Sequence, residues 1–147
     1  MDFDWRNPDY AAVFKQRAEA LARIRADPGV LPELKMYYRE NPWDLVNDWG
    51  VCYEPRNVEV GLPTIIPFVV FPKQREWMQF VHRKWKQQDD GLTEKSRDMG
   101  ISWSAIGLSC AICITNSGVS IGFGSRLADY VDTLGDMKAL LPKARMF

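Results

Sequence analysis

A short polar segment in the second half of the chain combines residue types that bind phosphate. The segment reads Lys95-Ser96-Arg97-Asp98-Met99-Gly100-Ile101-Ser102 and leads into an apolar stretch with helical character. A phosphate-binding loop needs backbone N–H groups at a helix N-terminus, a cation for the β- and γ-phosphates, and a hydroxyl for Mg²⁺. Gly100 permits close approach of the backbone, Ser102 supplies the hydroxyl and Lys95 supplies the cation. The segment is therefore predicted to bind a nucleotide phosphate.

The sequence of this loop differs from the standard motif G-x-x-x-x-G-K-S/T. Ile101 stands at the usual lysine position and Lys95 at that of the first glycine. With its lysine at the start, the loop resembles the deviant Walker A loop of the large terminase subunits of tailed phages and prophages. Residues 71–75 (FPKQR) resemble the adenine-recognising Q motif of these motors, and residues 121–126 (IGFGSR) resemble the strand and turn after their first helix. The resemblance covers about residues 36–147.

The resemblance implies ATP and Mg²⁺ as cofactors and gives roles to individual residues. Lys95 would neutralise phosphate charge, Ser102 would hold Mg²⁺ together with the nucleotide, and Gln74 would recognise adenine. Arg97 would be catalytic, as an internal arginine that stabilises the transition state of phosphoryl transfer. For Asp98, a turn carboxylate is an equal alternative. The implied nucleotide-binding set is Gln74, Lys95, Ser96, Arg97, Asp98, Met99, Gly100, Ile101 and Ser102.

The function implied by the resemblance is the ATP-binding portion of a viral DNA-packaging motor, which couples ATP hydrolysis to the translocation of DNA into a procapsid. The implied partners of the full-length protein are double-stranded DNA, the portal protein and the small terminase subunit. The implied location is the cytoplasm of a phage-infected or lysogenic bacterium. After Phe123, no apolar run is followed by Asp-Glu, and no nuclease-type acidic cluster occurs. We therefore expect a part of a longer P-loop ATPase that does not hydrolyse ATP alone.

The residues around the loop predict an α/β fold. An extended segment at residues 92–95, a turn ending at Gly100, a charge-free helix at residues 101–116 and a strand at residues 119–124 form a βαβ unit. This order predicts a parallel sheet with flanking helices, and the resemblance implies that it is the start of a P-loop NTPase. A sheet that stops after two or three strands has an exposed edge, so we also expect self-association.

The rest of the chain divides into an N-terminal helical segment at residues 1–50, a linker at 51–64 and a partial P-loop ATPase domain at 65–147. Asn7-Pro8 and Asn41-Pro42 are typical helix starts. The predicted helices lie at residues 9–26, 32–40, 42–50, 72–88 and 126–134, with another from residue 136. Residues 65–71 are predicted to form an edge strand or an extended buried segment. The predicted inner face of the first helix comprises Tyr10, Val13, Phe14, Leu21 and Ile24.

The amino-acid composition narrows the range of possible functions and partners. Nineteen Lys and Arg residues balance nineteen Asp and Glu residues, so any contact with DNA must be local. No stretch approaches the roughly 20 apolar residues that span a bilayer, and we expect no membrane partner. Cys110 and Cys113 form a C-x-x-C inside an apolar helix, where packing is favoured over zinc binding. Two alternatives stay open: a small helical interaction protein without nucleotide binding, and part of another P-loop helicase or translocase.

Overall fold

The computed structural model describes residues 3–147, in which six α-helices and one two-stranded sheet follow one another along the chain. The helices are α1 (Tyr10–Ala26), α2 (Leu31–Glu40), α3 (Pro42–Trp49), α4 (Pro72–Gln87), α5 (Ile101–Thr115) and α6 (Leu140–Met146). The strands are β1 (Val51–Tyr53) and β2 (Ile65–Pro67). Short 3₁₀ helices occur at Pro28–Val30, Pro55–Val60 and Ala128–Tyr130. The described chain is therefore predominantly helical.

Local signals determine where the first five helices begin and end. Pro42 and Pro72 open α3 and α4, where their missing N–H groups leave no hydrogen bond unmade. The side chain of Asp9 caps α1 by accepting a hydrogen bond from the Ala12 N–H at 2.9 Å. The five helices predicted up to residue 116 are confirmed, each to within one residue at either end.

The predicted fold class, the start of a P-loop NTPase with a parallel sheet, is wrong. Within residues 3–147 the one sheet is antiparallel and pairs β1 with β2, with Cys52 opposite Ile66. Parallel strands need a crossover of a dozen or more residues, usually an α-helix, whereas residues 54–64, which join these two strands, contain only a 3₁₀ helix. Residues 92–95 form no strand, and Leu92 is 94% exposed. Only one of these four residues is apolar, too few for a buried parallel strand.

The end of the chain also differs from the expectation. Residues 119–124 are irregular rather than a strand, because residues 92–95 provide no neighbouring strand for pairing. The predicted helix at residues 126–134 is reduced to the 3₁₀ turn Ala128–Tyr130, and the last helix begins at Leu140 rather than at residue 136. Short helices depend on a packed apolar face, and Leu134 is 89% exposed.

The hydrophobic core is built around α5. This helix carries no charged residue, so it can be surrounded on several sides, and it contacts α2, α3, α4 and α6. The core cluster comprises Val46, Phe68, Val70, Met78, Leu108, Ala111 and Ile112. Gly107 permits α3 to approach closely, since a Cβ there would lie 3.1 Å from Val46 Cγ1. The N-terminus of α5 is thereby held in a fixed place. No helix among residues 3–147 has both the length and the apolar character needed to cross a membrane.

Helix α1 lies on the outside of this core and has no buried residue. Its predicted inner face is only partly correct, because Phe14 and Leu21 are exposed. Arg17 attaches the helix to the end of α3: its Nη1 donates to the Gly50 carbonyl at 2.7 Å and its Nη2 to the Asn47 carbonyl at 2.6 Å. Carbonyl groups at a helix C-terminus lack intrahelical partners, so a guanidinium is a suitable cap for them.

Replacing Arg17 is expected to loosen α1. Arg17→Ala removes two charge-assisted hydrogen bonds and should lower the free energy of unfolding by about 1.5–3 kcal/mol, measured by urea denaturation. Arg25→Ala is the matched control, because Arg25 is an exposed arginine on the same helix. Equal effects of the two substitutions would show that Arg17 does not anchor α1.

His82, the one histidine of the sequence, is buried on α4 between two tryptophans. Its ring centroid lies 5.7 Å from that of Trp43 and 5.6 Å from that of Trp85. Its Nε2 atom is buried without a hydrogen-bond partner among the described residues. Burial lowers the pKa of His82, the charge of Lys86 lowers it further, and Glu40 partly opposes the shift. The folded protein therefore favours neutral His82.

The lowered pKa makes stability dependent on pH. Below about pH 6.5, the ordinary value, His82 of the unfolded chain takes up a proton more readily than His82 of the folded chain. The free energy of unfolding should therefore fall as the pH decreases from 7 through 6.5 towards the lowered pKa of the folded state. In His82→Gln this loss should be smaller, as measured by urea denaturation at pH 7.0, 6.0 and 5.0. Parallel pH profiles for both proteins would contradict the prediction.

Candidate functional site

A cavity of about 1340 Å³ lies at the N-terminus of α5. Of the predicted nucleotide-binding set, the residues that line it are Gln74, Lys95, Asp98, Met99, Gly100, Ile101 and Ser102. Gln74 comes from the first turn of α4, and the others come from the loop and the first turn of α5. The fold thus brings the Q-like segment and the loop to one place, although no parallel sheet supports them.

The end of the loop has a backbone shape that leaves N–H groups available. Asp98 and Gly100 have left-handed conformations, with φ of 60° and 69°. Gly100 precedes α5, which begins without a side-chain cap. The N–H groups of residues 101–103 therefore have no acceptor within the helix, whereas the Ser104 N–H already donates to the Gly100 carbonyl at 2.9 Å. This end of α5 carries the positive end of the helix dipole and favours an anion.

Gln74 connects α4 to the loop through both ends of its amide. Its Oε1 accepts a hydrogen bond from the Phe71 N–H at 3.1 Å, and its Nε2 donates to the Met99 carbonyl at 3.1 Å. The residue is 7% exposed. The amide predicted to recognise adenine is thus already hydrogen-bonded within the chain. In this structure Gln74 holds the loop beside α4.

Cations around the cavity differ in whether they are already paired. Arg56 forms two hydrogen bonds of 2.7 Å with Glu54, whose carboxylate raises the pKa of Arg56. Lys73 pairs with Glu76 at 2.7 Å. Among the described residues, the side chains of Lys95 and Lys138 form no ion pair, and both line the cavity. The carboxylates of Glu54, Asp98 and Asp136 also line it. Lys95 and Lys138 are therefore the cations available to an anionic ligand.

Lys138 was not predicted from the sequence to belong to the site. Its position depends on a buried lysine, Lys143. Lys143 Nζ donates to the carbonyls of Lys138 and Ala139, at 2.8 and 3.0 Å, and lies 5.7 Å from the centroid of the Trp103 ring. Burial lowers the pKa of Lys143. Trp103 is in the first turn of α5, so Lys143 fixes the cavity wall at residues 135–138 against the helix.

Two residues of the predicted nucleotide-binding set lie outside the cavity. Ser96 and Arg97 are exposed in the loop and do not line the cavity, so the catalytic role of Arg97 stays a prediction. Ser102 is exposed at the cavity. Residues 3–147 hold no group of three or more His, Cys, Asp or Glu side chains that could bind a metal. The predicted Mg²⁺ would therefore need ligands from the nucleotide, with Ser102 as a protein ligand.

Comparisons of this chain with protein-family models, with curated proteins and with solved structures find no match. They therefore assign neither a family nor a ligand to the chain. Inferences about its function therefore rest on the residues that line the cavity and on the motif resemblance.

Gly100 is predicted to be essential for the shape of the site. A Cβ at this position would lie 2.6 Å from Gln74 Nε2, and φ is +69°. Gly118→Ala is the matched control, because Gly118 has φ of +77° and a Cβ there would meet no described atom within 4 Å. Both substitutions should lower the free energy of unfolding by about 1–2 kcal/mol through backbone strain. Gly100→Ala should lower it by about 1 kcal/mol more, because it breaks the Gln74 hydrogen bond. Equal losses in urea denaturation would contradict this role.

Proposed function

We propose that this chain is the ATP-binding portion of a viral DNA-packaging motor, that is, of a large terminase subunit. The observation that carries the proposal is the uncapped N-terminus of α5, which opens into a cavity lined by Lys95 and Lys138, two lysines without an ion pair among residues 3–147. Free N–H groups and unpaired ammonium groups are the partners that a polyphosphate requires.

The size of the cavity supports a ligand as large as a nucleotide. Sites for small molecules commonly measure about 300–1,000 Å³, and this cavity is somewhat larger, at about 1340 Å³. Its walls also combine polar groups with apolar side chains such as Phe68 and Phe71. A ligand with a charged end and an apolar end matches that combination better than inorganic phosphate does.

Each group at the charged end has a defined task in this proposal. The N–H groups of residues 101–103 bind phosphate oxygens, and Lys95 neutralises their charge. Ser102 would supply the hydroxyl that holds the Mg²⁺ accompanying ATP. Arg97, exposed in the same loop, would stabilise the charge that develops on the γ-phosphate. Hydrolysis, DNA translocation and the portal and small-subunit partners follow from the terminase resemblance.

A second candidate function is that of a helical interaction protein without a nucleotide. The predominance of helix favours it, as do exposed apolar side chains such as Met36, which is 70% exposed. Large exposed apolar side chains often mark surfaces that bind other proteins. The two functions differ in one measurable property, the response of the chain to ATP.

ATP with Mg²⁺ is expected to stabilise the purified chain. At 100 times its dissociation constant, a ligand that binds only the folded state adds about 2.7 kcal/mol to the free energy of unfolding. Lys95→Ala should lose most of this stabilisation, as followed by thermal denaturation with and without ATP. Lys35→Ala is the control, because Lys35 is an exposed lysine on α2 that does not line the cavity.

Two outcomes would contradict the proposal in different ways. If ATP leaves the unfolding temperature unchanged, the chain does not bind nucleotide and the interaction-protein function is favoured. If Lys95→Ala binds ATP as well as the parent chain while Arg97→Ala does not, ATP binding stands and the phosphate-binding cation is Arg97.

A further inference from the structure

Four aromatic residues line the cavity on the side contributed by the N-terminal segment and the start of α4. These residues are Phe3, Trp5, Tyr10 and Phe71. The rings of Trp5 and Phe71 are stacked, with centroids 3.9 Å apart and an interplanar angle of 24°. Phe3 meets Trp5 edge-on at 4.6 Å. Three of the four residues precede or begin α1, far from the loop in sequence.

The Trp5 and Phe71 pair is unusually open to solvent for its size. Trp5 is 40% exposed and Phe71 is 45% exposed, although aromatic rings contribute most when they are buried. Trp5 lies in a turn of the backbone, in which the side chain of Asp4 accepts hydrogen bonds from the N–H groups of Arg6 and Asn7 at 2.9 and 3.3 Å. Trp5 stacks on Phe71, contacts Phe3 edge-on and lines the cavity, so the part of its ring that stays exposed is suited to stacking on a flat ring.

A short chain of contacts links this aromatic wall to the charged end of the cavity. The Phe71 N–H donates to Gln74, whose amide in turn holds the Met99 carbonyl. Met99 precedes Gly100 and the free N–H groups of α5. The aromatic wall and the charged end are therefore parts of one cavity, held in a fixed relation by one side chain.

We infer that Trp5, supported by Phe71, is the stacking surface for the base of the nucleotide. This inference rests on the proposed function and extends it by assigning the base to a residue of the N-terminal segment. Stacking on an aromatic face tolerates different bases, since every base has a π-face. Trp5 therefore contributes affinity for ATP and GTP alike and makes no contribution to the binding of a polyphosphate without a base.

The inference is tested by titrating ATP, GTP and inorganic tripolyphosphate, each with Mg²⁺, into the full chain and into Trp5→Ala by calorimetry. Trp5→Ala should raise the dissociation constants of ATP and GTP about tenfold or more and leave that of tripolyphosphate unchanged. Trp5→Phe should restore most of the affinity. Tyr37→Ala is the control, because Tyr37 is a half-exposed aromatic residue outside this cavity.

The outcomes separate the inference from the proposed function. If the parent chain binds ATP and tripolyphosphate, and Trp5→Ala leaves ATP binding unchanged or weakens both ligands equally, Trp5 is not the stacking surface and the nucleotide site stands. If the parent chain binds neither ligand, the proposed function and the inference are both overturned. Loss of ATP and GTP affinity alone, with rescue by phenylalanine, establishes the inference.

Discussion

The burial of α5 is the constraint on which the rest of the structure depends. A helix without a charged residue is stable in water only when other elements cover it, and α2, α3, α4 and α6 do so. The loop before it is polar and exposed, so the N-terminus of the helix must face the surface. One end of the most buried helix thus leaves free N–H groups at the surface of the protein.

The side-chain amide of Gln74 then determines the position of the loop at that end of α5. Gln74 is buried, and its oxygen binds the start of α4 while its nitrogen binds the Met99 carbonyl. This arrangement is possible only because Gly100 has no Cβ to displace the Gln74 nitrogen. The last residues of the loop are consequently fixed while residues 92–97 stay exposed. Near its start the loop is also attached to α4, because Trp77 Nε1 donates to Thr93 Oγ1 at 2.9 Å. The loop is therefore held beside α4 at both ends, by Trp77 and by Gln74.

The sequence predicted the parts of this arrangement that are local. Proline at the first helical position and apolar spacing located the helices. The residues predicted to bind phosphate lie together because they are consecutive in the loop. Pairing between strands is not local: β1 lay in the predicted linker, and its pairing with β2 has no signature in either segment. Trp5 and Lys138 were missed for the same reason, since packing alone brings them to the cavity.

The absence of a parallel sheet from residues 3–147 has different consequences for the binding of ATP and for its hydrolysis. Binding of phosphate requires free N–H groups and cations, which α5, Lys95 and Lys138 supply without any strand. Hydrolysis also requires carboxylates that hold the metal and orient the attacking water. Among the carboxylates of the cavity, Glu54 is already paired with Arg56. Asp98 and Asp136 form no ion pair among the described residues, so they are the carboxylates of the cavity that remain for hydrolysis.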